Sequence, residues 1–427
     1  MFYIVETTEQ LDEFIHTGYK SVFVEPVYYN DLAHPAINEL SLLYIKPIND
    51  NKGYILCLKH NEALSLNKTV VNSLLNSFEE LYVRDRKSFL YSFQLKNIID
   101  ISFLSPELTE PTTSTHEFFY QRFGDQLDIN TIIPLVKHYE RCESIFNQIK
   151  QYCIKPANIK YYNRLTNVFL GIEKNGIKIN ENIFNKYFEL NHEQYSIQNS
   201  KIHTQYNLYT TTGRPSNSFN GINFAALTKD NGCRAAFVPK NGQFIELDIS
   251  AYHPTLAAQL IGYDFKNETP YQYFAREAGI PLNEAKILMF KQLYGGIYNE
   301  YKYIEFFELV ESYVTELWAK FTSNKFIECP ISGHRFTTDI KDINPQKLFN
   351  YMLQNLETSN NVLILWEIMK LLKSKSTQIV LYTYDSILID YDEDEELIDS
   401  IKHIFNNKNL KVKLTIGRNY GSMQPLN

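Results

Sequence analysis

The sequence predicts a mixed α+β fold in more than one domain, and three stretches carry that prediction. They are a strand running into a helix at Phe244–Asp264, a helix at Ile280–Gly296, and a hairpin at Gln378–Tyr391. Upstream of them, strand-like runs (Ser21–Glu25, Leu40–Ile48, Gly53–Leu58) mix with helical ones (Thr8–His16, Leu66–Leu81), an α/β pattern of modest size over residues 1–104.

Taken in order, Ser105–Glu117 is rich in Pro, Ser and Thr and reads as a linker. The chain from 118 to about 200 is mostly helical, with helical spacing in Glu140–Gln151 and Glu181–Gln194. In Phe244–Asp264, Phe244, Ile245 and Leu247 give apolar strand character and Asp248 closes the strand. Pro254 suits the first helical turn that follows, where its missing N–H would be unsatisfied anyway. A carboxylate on a rigid strand end is well placed to hold a metal, but a solvated edge or a helix cap uses the same residue type.

In Ile280–Gly296, Pro281 opens a helix and Gly295-Gly296 closes it. Lys286, Phe290 and Tyr294 recur every four residues and so lie near one face. The ammonium could touch a polyphosphate while the rings stack on a base and sugar. The competing reading buries both rings in a core and lets the lysine snorkel outward. In Gln378–Tyr391, two β-rich apolar runs flank Tyr384-Asp385-Ser386, which places a carboxylate at the bend. Together, Asp248 and Asp385 could hold two Mg²⁺ ions in all-oxygen coordination, with Mn²⁺ able to substitute. That is the minimal apparatus for in-line nucleotidyl transfer.

In this order the three segments resemble motifs A, B and C of the family A DNA polymerases, the group typified by bacterial DNA polymerase I. Motif A of that family runs Asp-Tyr-Ser-Gln-Ile-Glu; here it is Asp248-Ile249-Ser250-Ala251-Tyr252-His253. Motif B runs Arg-x3-Lys-x3-Phe-x3-Tyr-Gly; Lys286, Phe290, Tyr294 and Gly295 fit it, while Leu282 stands in place of the arginine. Motif C, His-Asp-Glu, becomes Tyr384-Asp385-Ser386. TTTGRPSNSFNGINF (Thr210–Phe224), CRAAF (Cys233–Phe237) and FLGIEKNGIKIN (Phe169–Asn180) resemble three further family segments that precede motif A.

The resemblance implies a right-hand polymerase of compact, phage type. Residues 118–232 would form a helical connection and reduced thumb, and residues 233–427 the palm and fingers, with the fingers at about 265–325. The N-terminal α/β domain would be exonuclease-like but degenerate. Glu25 stands where the family has an Asp-x-Glu pair and Phe89 where it has an aspartate, which leaves Asp100 in the late position. Asp248, Asp385 and the backbone carbonyl of Ile249 would hold the metals, with Lys286 against the triphosphate. Phe290, Tyr294, His253 and Arg234 would line the nucleotide site; Arg214, Asn223, Gln354, Tyr384 and Gly295 would meet primer and template.

The activity implied is template-directed addition of dNTPs to a primer 3′-OH, without proofreading. Processivity would be low unless a partner supplies the grip, because only 37 positions separate Gly176 from Gly213. His253, in place of the motif A glutamate, leaves sugar selection open. An RNA polymerase or primase-like enzyme of the same palm type is the alternative, and a catalytically inactive nucleic-acid-binding relative the non-enzyme one.

Composition bounds these readings. At 427 residues and 44% hydrophobic, the chain can bury two or three cores. The net charge of −7 gives no overall basic signature, so a phosphate backbone would need a local cationic cleft. Five cysteines without a C-x-x-C pair fit a reducing compartment. No stretch reads as a signal or membrane span, so a cytoplasmic protein is expected, in the host cell if its source is viral.

Overall fold

The computed structural model describes residues 2–28, 34–104, 133–188, 197–217, 222–229 and 231–426. The expected linker at 105–117 lies outside them. The chain forms two compact units, residues 1–170 with 191–197, and residues 171–190 with 198–427.

The first unit is built on one mixed sheet of β1 (Phe2–Val5), β2 (Ser21–Tyr28), β3 (Leu40–Pro47), β4 (Gly53–Cys57), β5 (Glu80–Val83) and β6 (Ile98–Asp100), in the order β1-β4-β3-β2-β5-β6. β2, β3 and β4 form an antiparallel meander, and β5 and β6 add in parallel beside β2. Both faces are covered, so the strands read as continuous apolar runs rather than as an alternation. Val22 and Val24 face one layer with Leu11 and Phe14 of α1 (Thr8–His16) and Val71 and Leu74 of α2 (Lys68–Ser77). Phe23, Tyr44 and Ile55 face the other, against Cys142, Ile145 and Phe146 of α4 (Leu135–Ile149); α3 (Arg86–Ser92) precedes β6. Because α4 packs here, the unit continues past residue 104.

One expectation needs correcting. The helix read at Leu66–Leu81 ends at Ser77, Phe78 turns extended, and Leu81–Val83 pairs in the sheet. A short apolar run with an aromatic and a β-branched residue does not declare its period, and sheet pairing decided it.

The chain enters the second unit through α5 (Ile159–Asn175), followed by β7 (Ile177–Ile179) and α6 (Glu181–Phe188). β7 joins β8 (Ile197–Gln198), β9 (Lys201–Ile202) and β10 (Phe237–Val238) in a small sheet. The main sheet is antiparallel and contains β11 (Gln243–Ile249), β14 (Gln378–Thr383), β15 (Ser386–Tyr391), β16 (Val412–Gly417) and β17 (Gln424–Pro425); β12 (Phe326–Glu328) and β13 (Arg335–Thr337) form a separate hairpin. Its order, β14-β15-β11-β16-β17, puts the apolar β11 in the middle. The helices are α7 (Tyr252–Ile261), α8 (Pro270–Ala278), α9 (Leu282–Gly295), α10 (Glu305–Asn324), α11 (Pro345–Leu371) and α12 (Glu395–Asn406).

The acidic run Asp390–Glu396 is only partly a solvated loop. Asp390, next to last in β15, is buried and accepts the N–H groups of Lys240 (2.7 Å) and Asn241 (2.9 Å). A carboxylate taking two backbone donors can sit inside a fold where an unpaired one could not. All five cysteines are free, buried thiols.

Candidate active site

β11 and β15 run antiparallel with Asp248 opposite Ser386, and the Ile249 N–H donates to the Asp385 carbonyl at 2.9 Å. Two aspartates 137 positions apart in sequence therefore end on adjacent strands at one edge of the sheet. Tyr384-Asp385 is a two-residue hairpin loop in which Tyr384 has φ +67°. Left-handed backbone at its first position turns the bend with the twist of the strands, at a steric expense glycine would avoid. Asn361 of α11 holds the bend from behind, donating to the Tyr384 carbonyl (2.8 Å) and the Tyr382 hydroxyl (3.0 Å). Beyond Asp248 the chain turns through Ala251, also left-handed at φ +50°, into α7. Two strained non-glycine residues thus flank the aspartate pair, a pattern that concentrates at functional sites.

Asp248 and Asp385 are both exposed to solvent, yet each is crowded by neighbouring protein atoms. Burial, then the neighbouring Asp248 charge, then Glu357, push Asp385 up to about 6. Asp248 is raised by burial and by Glu246, against the opposing pull of Lys413 and Lys229. Two oxygen-donor groups that each resist ionisation beside the other are a donor set that a hard divalent cation would relieve. Among the described residues no cluster of three or more metal-ligating side chains forms. Further ligands would have to be water, backbone or substrate oxygens, as Mg²⁺ tolerates.

α9 does not bury its Lys-Phe-Tyr face in a core. Its buried residues are Ala285, Met289, Gln292 and Leu293, whereas Lys286 and Phe290 are exposed and Tyr294 is half-exposed. The motif B face is therefore not packed away. Lys286 makes no ion pair among the described residues. Phe290 lies 5.8 Å from Tyr294 and 6.3 Å from Tyr271, ring centre to ring centre. Leu282, where the family has arginine, is exposed at the helix start.

His253 is buried between two partners, with the Tyr294 hydroxyl 2.5 Å from Nδ1 and Glu357 Oε2 3.1 Å from Nε2. Glu357, on α11 and 1% exposed, also meets Arg214, whose Nη2 donates to Oε1 at 3.2 Å. The Arg214 Nε is 3.0 Å from Oε2 but poorly aligned, a charge contact rather than a second hydrogen bond. The same guanidinium lies 3.6 Å above the Tyr384 ring. Arg214, expected at primer, is here committed to this network.

The remaining expected residues are more dispersed in role. Arg234 donates to the Leu227 carbonyl from Nε (3.0 Å) and Nη2 (2.6 Å) and stacks on Tyr420, which braces the segment before β10. Asn223 is exposed and begins a short 3-10 turn without capping it. Gln354 bonds Asn350 at 3.0 Å, and Gly295 ends α9 with open space where a Cβ would be.

Three residues at the site were not anticipated. Glu357 is one. Tyr271 is another: burial, then the charges of Asp385 and Asp248, push its hydroxyl up to about 12. Glu246 is the third, accepting from Ser386 Oγ at 2.9 Å. Only Glu246 was open to a period-two reading, since it shares a strand face with Asp248.

A central antiparallel sheet carries the paired aspartates, beside a helical segment bearing the Lys-Phe-Tyr face and with a long buried helix behind the hairpin. A solved structure described as the POL domain of Pol1 from M. smegmatis in complex with DNA primer-template and dNTP matches this chain. The match has a TM-score of 0.70 and 13% identity, and covers 99% of each chain. No protein-family model matches the sequence, and no curated protein does. Among the described residues, no helix is long and apolar enough to cross a membrane.

Proposed function

We propose that the protein is a template-directed DNA polymerase that adds deoxynucleotides to a primer 3′-OH. The observation carrying this reading is the meeting of Asp248 and Asp385 on adjacent strands beside an exposed Lys-Phe-Tyr helix face, in a fold shared with a polymerase domain. Bound Mg²⁺ would lower the pKa of the 3′-OH and neutralise the leaving pyrophosphate. Asp248, Asp385 and the Ile249 carbonyl would hold that ion. Lys286 meets the triphosphate and stabilises the negative charge that grows on it. Phe290 and Tyr294 pack against base and sugar, and His253 walls the sugar side. Arg234 braces the nucleotide site from its edge; Asn223, Gln354, Tyr384, Gly295 and Arg214 border the primer and template path.

The test is extension of a labelled DNA primer on a DNA template with Mg²⁺, offering dNTPs or rNTPs. Extension with dNTPs is expected, and its absence with both sets sinks the reading. Lys286→Ala is expected to lower kcat/KM for dNTP incorporation by about 10²–10³-fold, the usual effect of removing one preorganised charge from a transition state. Single-nucleotide incorporation kinetics measure it, and a loss under threefold would return Lys286 to the role of a solvated lysine. The chain between Gly176 and Gly213 is short for a thumb, so products under single-encounter conditions should be only a few nucleotides long. Long products without a partner protein would contradict that.

The first unit fits a proofreading fold without its chemistry. Glu25 is tied to Arg84, and Asp100 accepts the N–H groups of Arg86 and Ser102, each at 3.0 Å. Neither carboxylate is left to hold a metal.

A further inference from the structure

We propose that Glu357 is a specificity-determining positioning residue: it fixes His253 in one tautomer, so that His253 and Tyr294 form a rigid wall that discriminates deoxyribose from ribose. The proposal rests on the polymerase reading above and deepens it.

The argument begins with burial. Glu357 is 1% exposed on a helix buried nearly all round, where an ionised carboxylate is costly unless it is paired. Its charge is balanced by Arg214, which is itself stacked on Tyr384 of the hairpin bend. A carboxylate so neutralised is a fixed acceptor, with no proton of its own to give. His253 Nε2, 3.1 Å away, must therefore carry the ring proton and donate it to Oε2. In the neutral ring Nδ1 is then a lone pair, which accepts from the Tyr294 hydroxyl at 2.5 Å. The tautomer follows from the network rather than from visible hydrogens.

The chain Glu357–His253–Tyr294 thus joins α11, α7 and the end of α9 by directed hydrogen bonds. The ring of His253 is held side-on, with rings crossing at 81° to Tyr294. In the resembling family one motif A carboxylate bonds the motif B tyrosine directly. Here the carboxylate stands on another helix, 104 positions later, and an imidazole spans the gap. A wall made of an unheld imidazole could rotate away from a 2′-hydroxyl, whereas one pinned at both nitrogens cannot do so without breaking a hydrogen bond.

The experiment measures kcat/KM for dNTP and for rNTP incorporation on a DNA primer-template with Mg²⁺, for the parent chain, Glu357→Gln, Tyr294→Phe and the double variant. Each single change is expected to lower the dNTP/rNTP ratio about tenfold, the size of one hydrogen bond to a held group. The change should come mainly from a lower KM for rNTP. Because both changes cut one chain, the double variant should fall no further than the worse single one. A merely structural glutamate would lower both substrates together and leave the ratio unmoved, which overturns the proposal. So would independent, multiplying losses in the double variant. If Glu357→Gln fails to fold, Glu357→Asp, which keeps the charge for Arg214 but shortens the reach to His253, takes its place in the comparison. A parent chain that extends with neither substrate set overturns the polymerase reading itself. A parent that extends normally while the variants keep its ratio overturns only the role of Glu357.

Discussion

Asp385→Asn is expected to reduce primer extension on the order of 10³-fold or more, and at the same time to make the metal-free protein more heat-stable at neutral pH. Both effects follow from one geometry. The carboxylate sits at a strained hairpin bend, where burial, the Asp248 charge and Glu357 raise its pKa from 3.8 to about 6. Well below pH 3.8 the group is protonated whether the chain is folded or not, and it adds nothing either way. Between about 4 and 6 the folded protein retains a proton that the unfolded chain releases, so stability falls as pH rises through that window. Above it the penalty is constant. Asparagine has no proton to lose, so the variant should gain on the parent only across and above that interval. Solvent at the carboxylate tip screens the effect to the order of 1 kcal/mol. Mg²⁺ should reverse the ranking, because an ion that binds the folded parent stabilises it by mass action and finds half its ligands missing in the variant. Thermal melts at pH 4 and 7.5, with and without Mg²⁺, read all of this. An active Asp385→Asn protein, or one whose melting never differs from the parent, would falsify the assignment of the metal pair.

The elements that local pattern can encode were legible in the sequence. β11 announces itself by Phe244, Ile245 and Leu247, the hairpin by two apolar runs around Tyr384-Asp385, and α9 by a Lys-Phe-Tyr recurrence between Pro281 and Gly295. The meeting of Asp248 and Asp385 follows from segment order and resemblance alone, since no local rule pairs strands so far apart. What stayed hidden depended on contacts across the fold. Glu357 sits in the run LQNLETSNN on a helix buried on every side, where the amphipathic signal that marks a surface helix is absent. Its partners Arg214 and His253 lie 143 and 104 positions away. The state of His253 was equally undecidable, because a tautomer is set by neighbours and not by the residue itself. β5 was misread for a related reason: four residues are too few to show a period, and only the parallel pairing with β2 made them a strand.

Arg84→Ala should destabilise the first unit by about 3–5 kcal/mol, the range for stripping one partner from a buried ion pair. Glu25 lies mid-strand in β2 with a side chain 5% exposed, and Arg84 follows β5 with 18% exposed. The guanidinium grips the carboxylate in two places, one of them Nε to Oε2 at 2.9 Å. With the arginine gone, an acceptor-only charge would remain between two apolar layers with little water to replace the lost donors. For a unit of this size the melting temperature should fall on the order of 10 °C. Glu25→Leu combined with Arg84→Met should come much closer to the parent, because the desolvation penalty leaves with the charges. The comparison also bears on function. If Glu25 were a metal ligand awaiting its ion, Mg²⁺ would rescue the Arg84→Ala protein, and the parent would trim a mismatched primer 3′ end. If the pair is structural, the melting loss is indifferent to Mg²⁺ and no trimming occurs with either protein. The second outcome is expected, because Asp100, the other carboxylate in reach of that role, already spends both oxygens on the N–H groups of Arg86 and Ser102.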